Sequence, residues 1–279
     1  MKKFLAVILA LVLALSATAA LAEAGDIVET GKTHILYSKS QGPYTELFEA
    51  AIIPILEAQG YTFEVLDTSD LLLADHALNN GEVDVNVEQH SAYIANYNAN
   101  NDGDLVGISV IPTVPAAVYS VNHETLDEVA DGMTVAIPND ASNTARCLLI
   151  LQKIGWIKFD ESVDPAAVTV DDIVDNPYNL DFTEQKSLTI PAAIEDYDYV
   201  AITGSVVWNA RESLAEKNAK TLAYEDVQEH LILQVTVKAE NANTDWAQAI
   251  VAAYHSDEFK AYMAENNGDG LWWIPEELQ

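Results

Sequence analysis

Apolar positions along this chain recur in two rhythms, and the two alternate. Residues 34–37 and 61–66 are short runs rich in branched and aromatic side chains, and they read as strands. Between them Leu47, Phe48, Ala51, Ile52, Ile55 and Leu56 recur at helical spacing. That predicts a helix over 46–58, capped by Thr45, kinked by Pro54 and stopped by Gly60. A second helix is predicted over 71–79. Val83, Val85 and Val87 then alternate with polar residues as a strand, and a helix over 89–97 begins where it ends. Residues 106–119 are β-rich but broken by Pro112 and Pro115, as expected of a crossing between two lobes. The pattern then restarts, with a helical turn at 126–129, a strand at 133–138 and a helix at 143–154. A strand at 199–203, a turn at Gly204-Ser205 and a helix at 206–216 follow. Residues 232–238 predict a strand returning to the first lobe, and 245–265 an amphipathic helical region. The apolar tail Leu271-Trp272-Trp273-Ile274 is expected to pack down. Strands alternating with helices imply α/β architecture with mostly parallel strands.

The N-terminus changes the picture at one end. Met1-Lys2-Lys3 precedes an apolar run over 4–15 and small residues over 17–24, the form of a secretory signal over 1–24. The apolar run is shorter than the ~20 residues that span a bilayer. The mature chain is then divided as lobe 1 (25–114 and 235–279) and lobe 2 (115–234). Cys147 is the sole cysteine, so no internal disulfide forms and no lipid acceptor lies near the cleavage region. A soluble, exported monomer, periplasmic or extracellular and without a lipid anchor, is expected. Acidic residues number 44 against 13 basic, a formal charge of -31. Such a surface repels nucleic acid and anionic membranes.

In α/β sheets ligands bind beyond the carboxyl ends of strands, at helix N-termini. That rule selects residues 38–44, 88–93, 139–146 and 203–205. Arg146 is the most pointed candidate, one of only two arginines in the chain. It is expected in the first turn of a helix, where a guanidinium offers two parallel donors to a carboxylate. His90 and Tyr93, three residues apart, share a helix face opposite it. Six scattered histidines without ligand spacing give no metal site. No nucleophile elbow, phosphate loop or zinc-protease motif occurs, so neither an enzyme nor a cofactor is expected. Cys147 reads as a buried small hydrophobe.

Two long segments resemble a known family. Residues 135–155, from Val135-Ala136-Ile137-Pro138-Asn139-Asp140 through Arg146 to Gly155, are similar to the second-lobe signature of the NlpA family. These are the MetQ-like methionine-binding receptors of ABC importers. Residues 80–94, with Glu88-Gln89-His90-Ser91-Ala92-Tyr93, resemble its first-lobe signature. The resemblance implies a type II periplasmic binding protein fold, two lobes with a ligand cleft and two crossover strands. It implies a small amino-acid-like ligand, an ABC importer permease as partner, and His90, Tyr93, Asn143 and Arg146 around the amino-acid site. Three further site positions depart from the family pattern. Glu88 stands where an aromatic is usual, Leu71 for a tyrosine and Thr203 for an asparagine; another asparagine position falls near Leu233 or Gln234. These changes point to methionine or a more polar relative. A dipeptide or other small carboxylate is the runner-up, as is a ligand-loaded partner of a membrane sensor. Glu88 is expected either to pair within the protein, with His90 the nearest candidate, or to meet a donor on the ligand.

Overall fold

The computed structural model describes residues 26–40, 42–267 and 270–279. The signal expected over 1–24 lies outside them. Lobe 1 opens with β1 (His34–Lys39), paired in parallel with β2 (Thr62–Asp67). The helix between them begins earlier than its pattern suggests. It runs as α1 (Pro43–Leu47), a π-helical turn (Phe48–Ile52) and α2 (Ile53–Glu57). Pro43 occupies the first turn, and Thr45 lies inside the helix instead of capping it. The π turn supplies the kink expected of Pro54. The Ile53 N–H reaches back to the Phe48 carbonyl, and Pro54 enters the first turn of α2, where no N–H is needed.

Helix α3 (Leu71–Asn79) follows the expected bounds, capped by Asp70. Residues 83–87 are not the regular strand their alternation implies. They make single bridges, Val85 to Tyr37 of β1 and Asn86 to Thr236. The Asn86 side chain accepts the Glu88 N–H at 2.7 Å and donates to Ser38, competing with the ladder. Helix α4 (Ser91–Asn101) and β3 (Leu105–Val110) complete this part of the lobe.

Lobe 2 carries β4 (Ala117–Ser120), β5 (Thr134–Pro138), α5 (Ala141–Lys153), the short antiparallel pair β6 (Lys158–Phe159) and β7 (Ile173–Asp175), then β8 (Asp181–Gln185), β9 (Tyr199–Ile202), α6 (Gly204–Glu216) and β10 (Lys220–Tyr224). Its sheet has the order β10-β4-β9-β5-β8, parallel from β9 to β8 and antiparallel at β4 and β10. Central strands are buried on both faces, as a sheet covered on two sides requires. Val135, Ile137, Tyr199 and Ala201 join Leu148 and Leu151 of α5 on one face. Ala136, Val200 and Ile202 join Ile190, Ile194 and Leu214 on the other.

The chain then returns to lobe 1 as β11 (Gln234–Lys238), antiparallel to β3, followed by α7 (Asp245–Tyr254) and α8 (Asp257–Asn266). Ser256 caps α8 and splits the helical region that periodicity leaves as one. Trp246, Ile250 and Phe259 join Ile35, Phe48 and Val235 in a single core. Residues 111–116 and 225–233 thus form two crossovers lying side by side. Ile111 donates to the Leu233 carbonyl at 2.8 Å, and the Leu233 N–H to Thr113 Oγ1 at 3.0 Å.

Candidate functional site

Helix N-termini from both sides converge on the groove between the lobes, α3 and α4 from lobe 1 and α5 and α6 from lobe 2. The groove holds a cavity of about 370 Å³. Leu71, Glu88, His90 and Tyr93 reach it from lobe 1, and Asn143, Arg146 and Thr203 from lobe 2. All seven residues singled out in the sequence therefore line one space.

His90 caps α4 by accepting the Tyr93 N–H on Nδ1 at 3.1 Å. That fixes the tautomer, so Nε2 carries the proton and donates to Asn143 Oδ1 at 3.3 Å, across the cleft. Burial, reinforced by the nearby Arg146 charge, lowers His90 to about 3, and the ring is neutral. Asn143 is held in turn by α5, where its own N–H donates to Asp140 Oδ1 at 3.1 Å. Asp140 also accepts the Ser187 hydroxyl at 3.2 Å. A carboxylate thus already occupies the positive end of α5.

Helix α5 begins at Ala141, so Arg146 stands in its second turn and not in the first. Its Nε donates to Glu225 Oε2 at 2.6 Å, and Nη2 donates to Glu225 Oε1. Glu225 Oε1 also accepts the Ala116 N–H at 2.7 Å. Both charged side chains are buried. The bidentate face expected to meet a ligand is filled by the protein itself. Among the described residues Nη1 has no hydrogen-bond partner, and Arg146 lines the cavity.

Glu88 is buried, and His90 is not its partner. It accepts the Ser40 N–H at 3.0 Å on both oxygens and the Thr45 hydroxyl at 2.6 Å. Burial raises its pKa against the pull of those hydrogen bonds. Thr203 caps α6 through its backbone alone, and its hydroxyl lies 3.3 Å from that of Ser205. The Leu71 carbonyl receives Gln89 Nε2 at 3.5 Å. On the returning segment Leu233 lines the cavity, whereas the Gln234 amide turns to Ser91 at 3.1 Å. At the cleft mouth Lys186 of lobe 2 stands 3.9 Å from Asp70 of lobe 1.

Residue patterns missed several participants. Tyr44 fell within a flagged loop but was given no role. Its hydroxyl accepts the Val114 N–H in the first crossover at 3.2 Å. Glu225 gave no local signal, since it is one of 44 acids and lies 79 positions from its arginine. Ser40 and Gln89 fell within flagged segments but were given no role, and Lys186 lies on the wall without any motif to mark it.

Comparison with known proteins agrees with this geometry. The NlpA lipoprotein family model matches residues 38–272. The D-methionine-binding lipoprotein MetQ of Salmonella typhi is 30% identical over 238 residues, covering 85% of this chain and 86% of that protein. The methionine-binding lipoprotein MetQ of Bacillus subtilis (strain 168) is 27% identical over 250 residues, 87% and 88% of the two chains. A nutrient-binding protein from Burkholderia cenocepacia, solved bound to methionine, superposes with a TM-score of 0.78 at 26% identity, covering 86% of this chain and 99% of that one. With its matched family model, its two-lobed fold and its cleft, the chain belongs to the NlpA lipoprotein family.

Proposed function

We propose that this chain is the extracytoplasmic solute-binding receptor of an ABC importer and binds an amino acid, methionine or a more polar relative, by closure of its two lobes. The single observation that carries the reading is the convergence of His90 and Tyr93 with Asn143 and Arg146 on one interlobe cavity. The relatives named for methionine binding support the class of ligand. Arg146 Nη1 and Asn143 would take the carboxylate, with His90 and Tyr93 closing over the shared amino-acid end. Leu71, Glu88 and Thr203 would lie toward the variable end. The lobes divide as 25–114 with 235–279, and 115–234.

Binding without catalysis is the favoured reading. His90, the imidazole lining the cavity, spends both ring nitrogens on Tyr93 and Asn143. A permease is the proposed partner, with the receptor a monomer. The matched family is one of lipoproteins, and the mass of the exported N-terminus decides whether this chain carries a lipid. A thermal-shift screen of the purified protein against amino acids of both configurations and against dipeptides tests the assignment. An amino acid present at 100-fold over its Kd should add ~2.7 kcal/mol of stability. A shift with dipeptides alone transfers the assignment to the runner-up, and no shift with either class sinks it.

A further inference from the structure

The lobe-1 wall of the cleft holds a buried carboxyl group without an ion-pair partner and an amide oxygen without a donor. Of the charged groups lining the cavity, Arg146 is bound by Glu225, Lys186 faces Asp70, and Asp140 is engaged as a helix cap. Glu88 remains. It accepts hydrogen bonds from Ser40 and Thr45, but among the described residues it has no cation within ion-pair distance. Beside it, Gln89 lines the cavity and is only 1% exposed, yet its Oε1 has no donor. Asp75 is 0% exposed, and neither of its oxygens has a partner. It lies one turn along α3 from the cavity-lining Leu71, on the same helix face.

We propose that the ligand carries a second cationic group at its side-chain end, as in a diamino acid, and that Glu88 and Gln89 on the cavity wall, with the buried Asp75 near Glu88, select it. The inference rests on the amino-acid reading above. A thioether or alkyl side chain facing this wall leaves Glu88 without a countercharge and the Gln89 oxygen without a donor, which buried groups tolerate poorly. An ammonium supplies three donors and the countercharge. Leu71, in place of the tyrosine usual in the family, offers an aliphatic flank to the methylene stem of such a side chain. Burial, reinforced by Glu88, pushes Asp75 up to about 8. That is the behaviour of a carboxyl lacking its cation, and a bound ammonium reverses it by releasing the proton.

Calorimetric titration with lysine, ornithine, norleucine and methionine, each in both configurations, tests the inference. Norleucine matches lysine in length without the charge. Lysine or ornithine should bind about tenfold to a hundredfold more tightly than norleucine, the worth of one charge-assisted hydrogen bond. Repeating the titration in two buffers of different ionisation enthalpy should show a proton released with the diamino acid and none with norleucine. Asp75→Asn is nearly isosteric with the protonated carboxyl, so the variant should fold, and the preference should shrink several-fold. Norleucine or methionine binding as tightly as lysine overturns the inference and leaves the amino-acid receptor standing. A preference for lysine that Asp75→Asn does not change overturns the role given to Asp75. Failure of all four amino acids to bind overturns this inference, while the thermal-shift screen against the wider set decides the receptor reading separately.

Discussion

Arg146 and Glu225, 79 positions apart, meet as a bidentate buried pair beneath the cleft, and Glu225 also holds the Ala116 N–H of the first crossover. One carboxylate therefore ties the ligand-facing helix of lobe 2 to both connections between the lobes. Sequence reasoning alone expects Arg146→Ala to weaken binding with little effect on the fold. The pair changes that expectation. Removing one partner strands the other charge in the interior, which costs roughly 3–5 kcal/mol. Chemical denaturation of Arg146→Ala should show a loss of that order. Unchanged stability means that the pair opens freely to water.

Glu225→Gln separates the two roles of the arginine. The variant keeps an acceptor for Ala116 but leaves the guanidinium without its counterion. A ligand carboxylate then replaces the missing charge, so saturating ligand should raise the Tm of Glu225→Gln more than that of the wild type. An equal or smaller rise shows that Arg146 does not meet the carboxylate.

Much of this site is visible in residue order because helix N-termini follow strand ends, and local pattern locates both. Asp70, His90 and Asp140 each fill a cap position beside the groove. Recognisable signatures surround His90 and Arg146, so their convergence on one cavity is legible once the two-lobed fold is inferred. Glu225, Tyr44 and Asp75 are a different matter. Their roles arise from contacts closed only by the tertiary fold, such as the 70-residue span between Tyr44 and Val114. An aspartate within α3 carries no mark of its burial when 44 acids crowd the chain. The alternation at 83–87 misleads for a related reason. Period two reports which side chains are buried, and Val83, Val85 and Val87 are buried. It does not report whether the backbone makes a ladder.

The hinge yields a steric prediction. Gly204 opens α6 directly against Val114 of the first crossover. A Cβ on it would lie 2.7 Å from both the Val114 Cβ and its carbonyl oxygen. Backbone cannot swing aside as a flexible side chain does, so Gly204→Ala must push α6 off the crossover. Overpacking of this kind typically costs about 1–3 kcal/mol. Thermal denaturation should show it, and small-angle scattering should show a wider interlobe angle. Tyr44→Phe probes the same crossover from lobe 1. It leaves the buried Val114 N–H without an acceptor, which costs about 1–3 kcal/mol. Wild-type stability in both variants would mean that the crossover relaxes without strain.

The final prediction concerns pH, and it follows from two buried groups whose shifts oppose each other. Asp75 is pushed from 3.8 up to about 8 by burial and by Glu88. Between those values the folded state holds a proton that the unfolded state has lost, so stability falls as pH rises. His90 is lowered from 6.5 to about 3 by burial and by the Arg146 charge. Between those values the unfolded state holds the extra proton, so stability rises with pH. Below pH 6.5 the two slopes nearly cancel. Above it the His90 slope is gone and the Asp75 slope remains, at about 1.4 kcal/mol per pH unit, which amounts to roughly 2 kcal/mol between pH 6.5 and 8. Glu88, also raised by burial, tilts the curve the same way as Asp75. The ligand-free protein should therefore lose stability from pH 6.5 to 8. Asp75→Asn should remove most of that loss and uncover a rise from pH 5 to 6.5. Adding His90→Asn, which preserves an acceptor for the Tyr93 N–H, should reduce that rise and leave the part that His230, also lowered by burial, contributes. Denaturant titrations at pH 5, 6.5 and 8 on the wild type and both variants measure each slope separately. A wild-type stability that increases from pH 6.5 to 8 would mean that Asp75 is ionised in the folded protein, answered by a partner such as water.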